Sequence, residues 1–129
     1  MEDIDRVMHK MLIEHAASSL EGLIRALVDR MIDAHTADPE LFPLLSTQVP
    51  QRADGTRAFA VRMHGAFRMA LAARTPELKK RHNLDQQAFV VTNMVDALCH
   101  GALFQRPAGL SLGDAKAEIV RAILGYLRA

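Results

Sequence analysis

Apolar residues recur along this chain at intervals of three and four, the spacing that gathers them on one side of an α-helix. In the first run Ile4, Met8, Met11, Leu12 and His15 share a face. In the second, Leu20, Ile24, Leu27, Met31 and Ala34 form a stripe opposite Glu21, Arg25, Asp29 and Thr36. Phe59, Met63, Ala66, Phe67 and Ala70 line a third, with Arg57 and Arg68 across from them. The fourth, LDQQAFVVTNMVDALCHGALFQ from Leu84, is apolar around most of its circumference and stops at Arg106-Pro107. A last run, LGDAKAEIVRAILGYLRA, comes after the Gly-containing link AGLS. A helix apolar on more than one side needs cover on more than one side. In 129 residues little chain is left to supply that twice. The closing pair therefore predicts burial against a second subunit.

Polar residues and breakers punctuate these runs. Ser18 with Glu21 has the spacing of a capping box, and Asn83 with Gln86 and Ser111 stand where caps are needed for the last two helices. Asp38-Pro39 and Thr75-Pro76 each pair a capping residue with a proline suited to the first helical position. They open two short pieces, ELFPLLSTQ, strained by Pro43, and ELKKRH. VPQRADG is expected to be a loop, with Pro50 and Gly55 as breakers. No strand-like alternation, repeat or low-complexity tract is present. The pattern predicts an all-α, single-domain antiparallel bundle of about six helices.

Composition narrows the class of function. Half of the residues are hydrophobic and 24% are charged, as in a globular domain. There is no Trp, and seven Met residues supply apolar positions, which favours an adaptable interior. A net charge of +1 lacks the concentrated basic surface of an unaided DNA binder. A single cysteine, Cys99, excludes an internal disulfide. With no signal pattern and no apolar run of bilayer length, the expected location is the cytoplasm, with no membrane partner.

Candidate chemistry is sparse. Asn93, Asp96 and His100 form a polar line on the long helix, with Asp96 and His100 one turn apart. The line reads as a ligand-orienting set, as a buried pair at a subunit contact, or as a solvated edge. None of the six histidines has HxxxH or HExxH spacing, and Cys99 has no CxxC partner. Neither a metal site nor a cofactor is expected, and no catalytic residue is assigned. Cys99 reads as a small buried hydrophobe, and His15 and His35 as hydrogen-bonded residues on or beside apolar faces. Met8, Met31, Phe42, Met63, Phe67 and Met94 read as core that together can line a flexible apolar cavity between helices.

Over Phe89–Ala129, FVVTNMVDALCHGALFQRP followed by EIVRAILGYL resembles the two closing helices of the C-terminal domain of TetR-family transcription regulators. LIRALVDRMIDAHTADPELFPLL resembles the helix and short helix that come after that family's connecting helix. Residues 1–129 are thus expected to form one such domain. Family members open with a helix-turn-helix module that has no counterpart here, and the start of this chain resembles the connecting helix. DNA contact is accordingly expected only through a missing N-terminal module.

The resemblance implies an effector-sensing, homodimeric domain of a repressor-type regulator, not an enzyme. Its closing helices would pack with their copies as a four-helix bundle. Expected interface residues are Val91, Val95, Leu98, Ala102, Ile119, Ile123 and Tyr126. A small, largely apolar effector would meet Met31, Phe42, Phe59, Met63, Phe67 and Met94, with His64 and Asn93 as polar contacts. The rival readings are a helical homodimeric interaction module without a small ligand and a metal-assisted enzyme built on Asp96 and His100.

Overall fold

Two of the expected caps start the two closing helices. The Asn83 side chain accepts a hydrogen bond from the Gln86 N–H at 3.1 Å, and the Ser111 hydroxyl accepts one from the Asp114 N–H at 3.1 Å. Each satisfies a first-turn amide that has no partner within its own helix. The computed structural model describes the backbone of residues 2–37, 53–78 and 83–129. Among them are five α-helices: α1 (Glu2–Glu14), α2 (Leu20–Ala37), α3 (Ala53–Ala72), α4 (Leu84–Phe104) and α5 (Leu112–Arg128). A single 3₁₀ turn, Thr75–Glu77, comes after α3. No strand occurs among the described residues. The piece expected after Asp38-Pro39, with Phe42 and Pro43, lies outside the described residues, as do the last residues of ELKKRH.

The start of α2 differs from the expected capping box by one residue. Ser19, not Ser18, caps it, its hydroxyl accepting from the Gly22 N–H at 3.1 Å. Ser18 instead pairs its hydroxyl with His15 Nδ1 at 3.2 Å, inside the turn that ends α1. The shift leaves Gly22 at the position where a capping box needs a glutamate. The carboxylate of Glu77, from the 3₁₀ turn, accepts instead from the next amide, that of Leu20, with both oxygens 3.1 Å away. Glu21 pairs with Arg25 one turn on, at 3.2 Å.

Two other boundaries move for similar reasons. The α3 helix begins at Ala53, so Ala53, Asp54 and Gly55 are helical and not loop. A glycine costs less in a first turn, where amides are unpaired in any case, than in a helix interior. Thr75 does not act as a cap. Its hydroxyl donates back to the Ala72 carbonyl at 2.8 Å and helps to close α3.

The helix α4 sits at the centre, packed against α2, α3 and α5, while α1 covers α2 and α3 on the far side. The α5 helix also contacts α2. The core runs continuously from Met8 and Met11 of α1 through Leu23, Leu27 and Met31 of α2 to Phe67 and Leu71 of α3. It continues through Val91 and Val95 of α4 to Ile119, Ile123 and Leu127 of α5. On α2 the buried arc is wider than one stripe, because Val28, Ile32 and His35 are inside as well. A helix covered by α1, α4 and α5 needs apolar residues on three sides.

One buried cation locks the corner between α1 and α2. Arg74, just past α3, is 6% exposed. Its guanidinium donates to the carbonyls of Ser18 (3.1 Å), Ala70 (2.8 Å) and His15 (2.7 Å), with Ala16 at 3.4 Å. Three of these carbonyls belong to the turn between α1 and α2. The forked array of N–H donors suits such a cluster of acceptors.

Candidate functional site

Two features stand out from the core: a groove beside α1, and apolar side chains left open on the closing helices. The groove encloses about 460 Å³ between α1 and α3. Met8 and Met63 form its floor, with Leu12 and Ala66 beside them. Arg6 and His9 from α1 and Arg62 from α3 stand at its exposed rim. The periodicity of each helix explains the arrangement. Met8 and Leu12 are one turn apart on α1, Met63 and Ala66 share a face of α3, and the cations flank those faces. A second groove, of about 490 Å³, lies between α2 and α5. Charges on its walls pair with one another, Arg25 with Glu21 at 3.2 Å and Arg121 with Glu118 at 3.5 Å.

Among the described residues expected to meet an effector, only Met63 lines the α1–α3 groove. Met31 and Phe67 are inside the packed core, and Met94 packs partly buried against it. His64 turns toward α4, where its Nε2 lies 3.4 Å from an Asp85 oxygen that Arg68 also holds at 2.8 Å. Asn93 donates from Nδ2 to the Phe89 carbonyl of its own helix at 2.8 Å. The Phe42 and Phe59 side chains lie outside the described residues. Arg6, His9 and Arg62 are not among the expected contacts; Arg6 and His9 flank the apolar stripe of the first run, and Arg62 flanks that of the third.

The polar line on α4 divides into three environments. Asp96 is buried and faces His35 of α2, Oδ1 to Nε2 3.5 Å. His35 is fully buried, with Nδ1 2.8 Å from the Met31 carbonyl oxygen. This is the hydrogen-bonded core histidine that its place on α2 suggested. His100 is half-buried, its ring tilted against Phe104 at 4.8 Å between centroids. Its pKa is lowered by burial first and then by the neighbouring His35, while Asp96 pulls it back up. Cys99 is buried between these groups, and desolvation, followed by the Asp96 charge, pushes its thiol up to about 12. A thiol so placed stays protonated and is a poor nucleophile. Among the described residues no three metal-ligating side chains converge.

The expected interface residues separate just as sharply. Val91, Val95, Ala102, Ile119 and Ile123 are buried within the protomer, each at 7% exposure or less. The arc of α4 that looked too broad for one core is largely covered by α2, α3 and α5 together. Leu98 (39% exposed) and Tyr126 (36% exposed) remain open. Phe89 (62%) and Phe104 (52%) join them as large apolar residues in contact with solvent on α4. Gly101 lies among them, and a Cβ added there would come no closer than 3.9 Å to another side chain.

No helix among the described residues is long and apolar enough to cross a membrane. No curated protein and no solved structure matches the chain. A family described as "Tetracyclin repressor-like, C-terminal domain" matches residues 19–127, which span α2 to α5. The all-helical order, with two capped helices closing the chain, agrees with that match. On its extent the chain belongs to the tetracyclin repressor-like C-terminal domain family.

Proposed function

We propose that this chain is the effector-sensing and dimerisation domain of a TetR-type transcription regulator, binding a small, largely apolar ligand. The family match over α2 to α5 carries the reading. The α1–α3 groove supports its sensing half, because a ligand seated there touches two helices at once and biases their separation. The apolar side chains exposed on α4 and α5 support its pairing half. Phe89, Leu98, Phe104 and Tyr126 offer rings and branched carbons of the kind that anchor interfaces. In this reading the homodimer forms through these outward residues and not through Val95 or Ile123. The described helices sense and pair, and DNA contact is assigned to none of them.

Sedimentation equilibrium of the wild type against Leu98→Glu and Phe104→Glu tests the pairing. A wild-type dimer that becomes a folded monomer in either variant is the expected result; a monomeric wild type would refute it. Thermal shift against a library of small apolar compounds tests the sensing. Binding at 100 times Kd stabilises the folded state by about 2.7 kcal/mol. A dimer that no compound stabilises would favour the ligand-free interaction module instead.

A further inference from the structure

We propose that α1 is a strap, closed over the α1–α3 groove and latched by Arg74, that opens as one unit while α2 to α5 stay folded. The way the core is shared points to it. The central α4 packs against α2, α3 and α5, whereas α1 packs on α2 and α3 from outside. Its described core residues are Met8 and Met11, with Leu12 partly covered. Lifting α1 bares these and widens the groove, yet parts none of the contacts that α4 makes with its three neighbours. The family match begins at residue 19, past the end of α1. At 13 residues α1 is marginal as a helix in water once undocked, so its opening and its unfolding are one event.

The latch lies at the C-terminal end of α1. That end favours a cation, because the last carbonyls of a helix carry its negative pole. The last turn of α1 has no basic residue of its own and ends in Glu14. Arg74, from beyond α3, supplies the charge. It donates to the carbonyls of His15 at 2.7 Å and Ser18 at 3.1 Å, while its bond to the Ala70 carbonyl, at 2.8 Å, ties it to α3. Lifting α1 carries the His15 carbonyl away from the guanidinium, so the strength of this contact sets how often the strap opens. Three residues on, Glu77 holds a different group. Its carboxylate accepts from the amide of Leu20, the first residue of α2, at 3.1 Å. That contact pins α2 to the 3₁₀ turn and stops an opening of α1 from running on into α2.

Thiol labelling of the full chain tests this, with Met11→Cys reporting the underside of α1 and the native Cys99 reporting α4. Both positions are buried, at 1% and 0% exposure. In native buffer Met11→Cys should react about tenfold or more faster than Cys99. Its rate should rise only weakly with urea, because opening one short helix exposes little surface. Adding Arg74→Gln should speed Met11→Cys labelling by about a further tenfold or more, the effect of losing hydrogen bonds to a charged group. If that variant fails to fold, Arg74→Lys, which keeps the charge without the fork, is read in the same way. Amide exchange of the wild type, followed by mass spectrometry, gives an independent reading: the amides of α1 should exchange together and ahead of those of α4 and α5. If Met11→Cys and Cys99 label at one rate with one urea dependence, or α1 amides exchange with those of α4, then α1 opens only with the whole domain and the strap is overturned. A Met11→Cys rate that neither Arg74 substitution changes overturns the latch.

Discussion

Replacing Arg74 by alanine should cost the domain about 2–4 kcal/mol of folding stability. The guanidinium is 6% exposed and holds three carbonyls within 3.1 Å, those of His15, Ser18 and Ala70. Hydrogen bonds to a charged group are each worth about 1.5–3 kcal/mol. They do not add, and two offsets reduce the sum. Alanine removes the cost of keeping a cation out of water, and the half-buried turn around His15 lets water reach some of the freed carbonyls. For a domain of this length the remaining loss lowers the melting temperature by roughly 10 °C. Helical circular dichroism followed through heating and urea titration measures it. Arg74→Lys separates charge from geometry, because an ammonium keeps the charge but lacks the fork that spans several acceptors. Lysine should recover less than half of the loss. Amide exchange should also speed up first at the end of α1 and the start of α2, where the freed carbonyls lie. A loss below about 1 kcal/mol for Arg74→Ala, or full rescue by lysine, would refute the corner-lock reasoning.

Three further outcomes rest on burial and charge. Ile123→Glu should destabilise the protomer by about 4 kcal/mol or more and not merely split a dimer, since the side chain is fully buried in its own chain. A folded monomer on sedimentation with unchanged urea stability would contradict this. The Cys99 thiol, at about 12, should resist a disulfide reagent at pH 8 in the folded protein and react at once in urea; rapid labelling of native protein would show that it is accessible. His100 is held below its ordinary value of 6.5, so the unfolded chain takes up this proton more readily. Stability from this group is complete above about pH 6.5 and is lost as pH falls through the folded value. His100→Gln should therefore lose less stability than wild type on acidification, and parallel urea midpoints in the two proteins would exclude the effect.

The closing helices show how far the sequence could be read and where it stopped. Their caps, Asn83 and Ser111, were legible because a cap acts on amides within one turn of itself. The cap of α2 lies one residue later than its spacing suggests because the carboxylate that completes it, Glu77, arrives from 57 residues away. Arg74 gave no signal at all, for its partners are backbone carbonyls that any sequence would supply. The groove was missed for a related reason: its walls come from two helices, Glu2–Glu14 and Ala53–Ala72, that are far apart in the chain, and only packing brings Arg62 and Arg6 to one groove.

The sequence by itself determined the all-α class, the extent of the strong helices, the family, and the apolar arc of each helix. Those come from spacing and capping, which operate over a few residues. Tertiary structure alone decided which part of the α4 arc is core and which is open. It placed Val91, Val95 and Ile123 inside while leaving Phe89, Leu98 and Phe104 at the surface. It also divided Asn93, Asp96 and His100 among a helix backbone, a buried histidine and an aromatic edge. Hydrophobic burial is non-directional, so an apolar pattern says that a face will be covered but not by what; only the packing of α2, α3 and α5 around α4 supplied that answer.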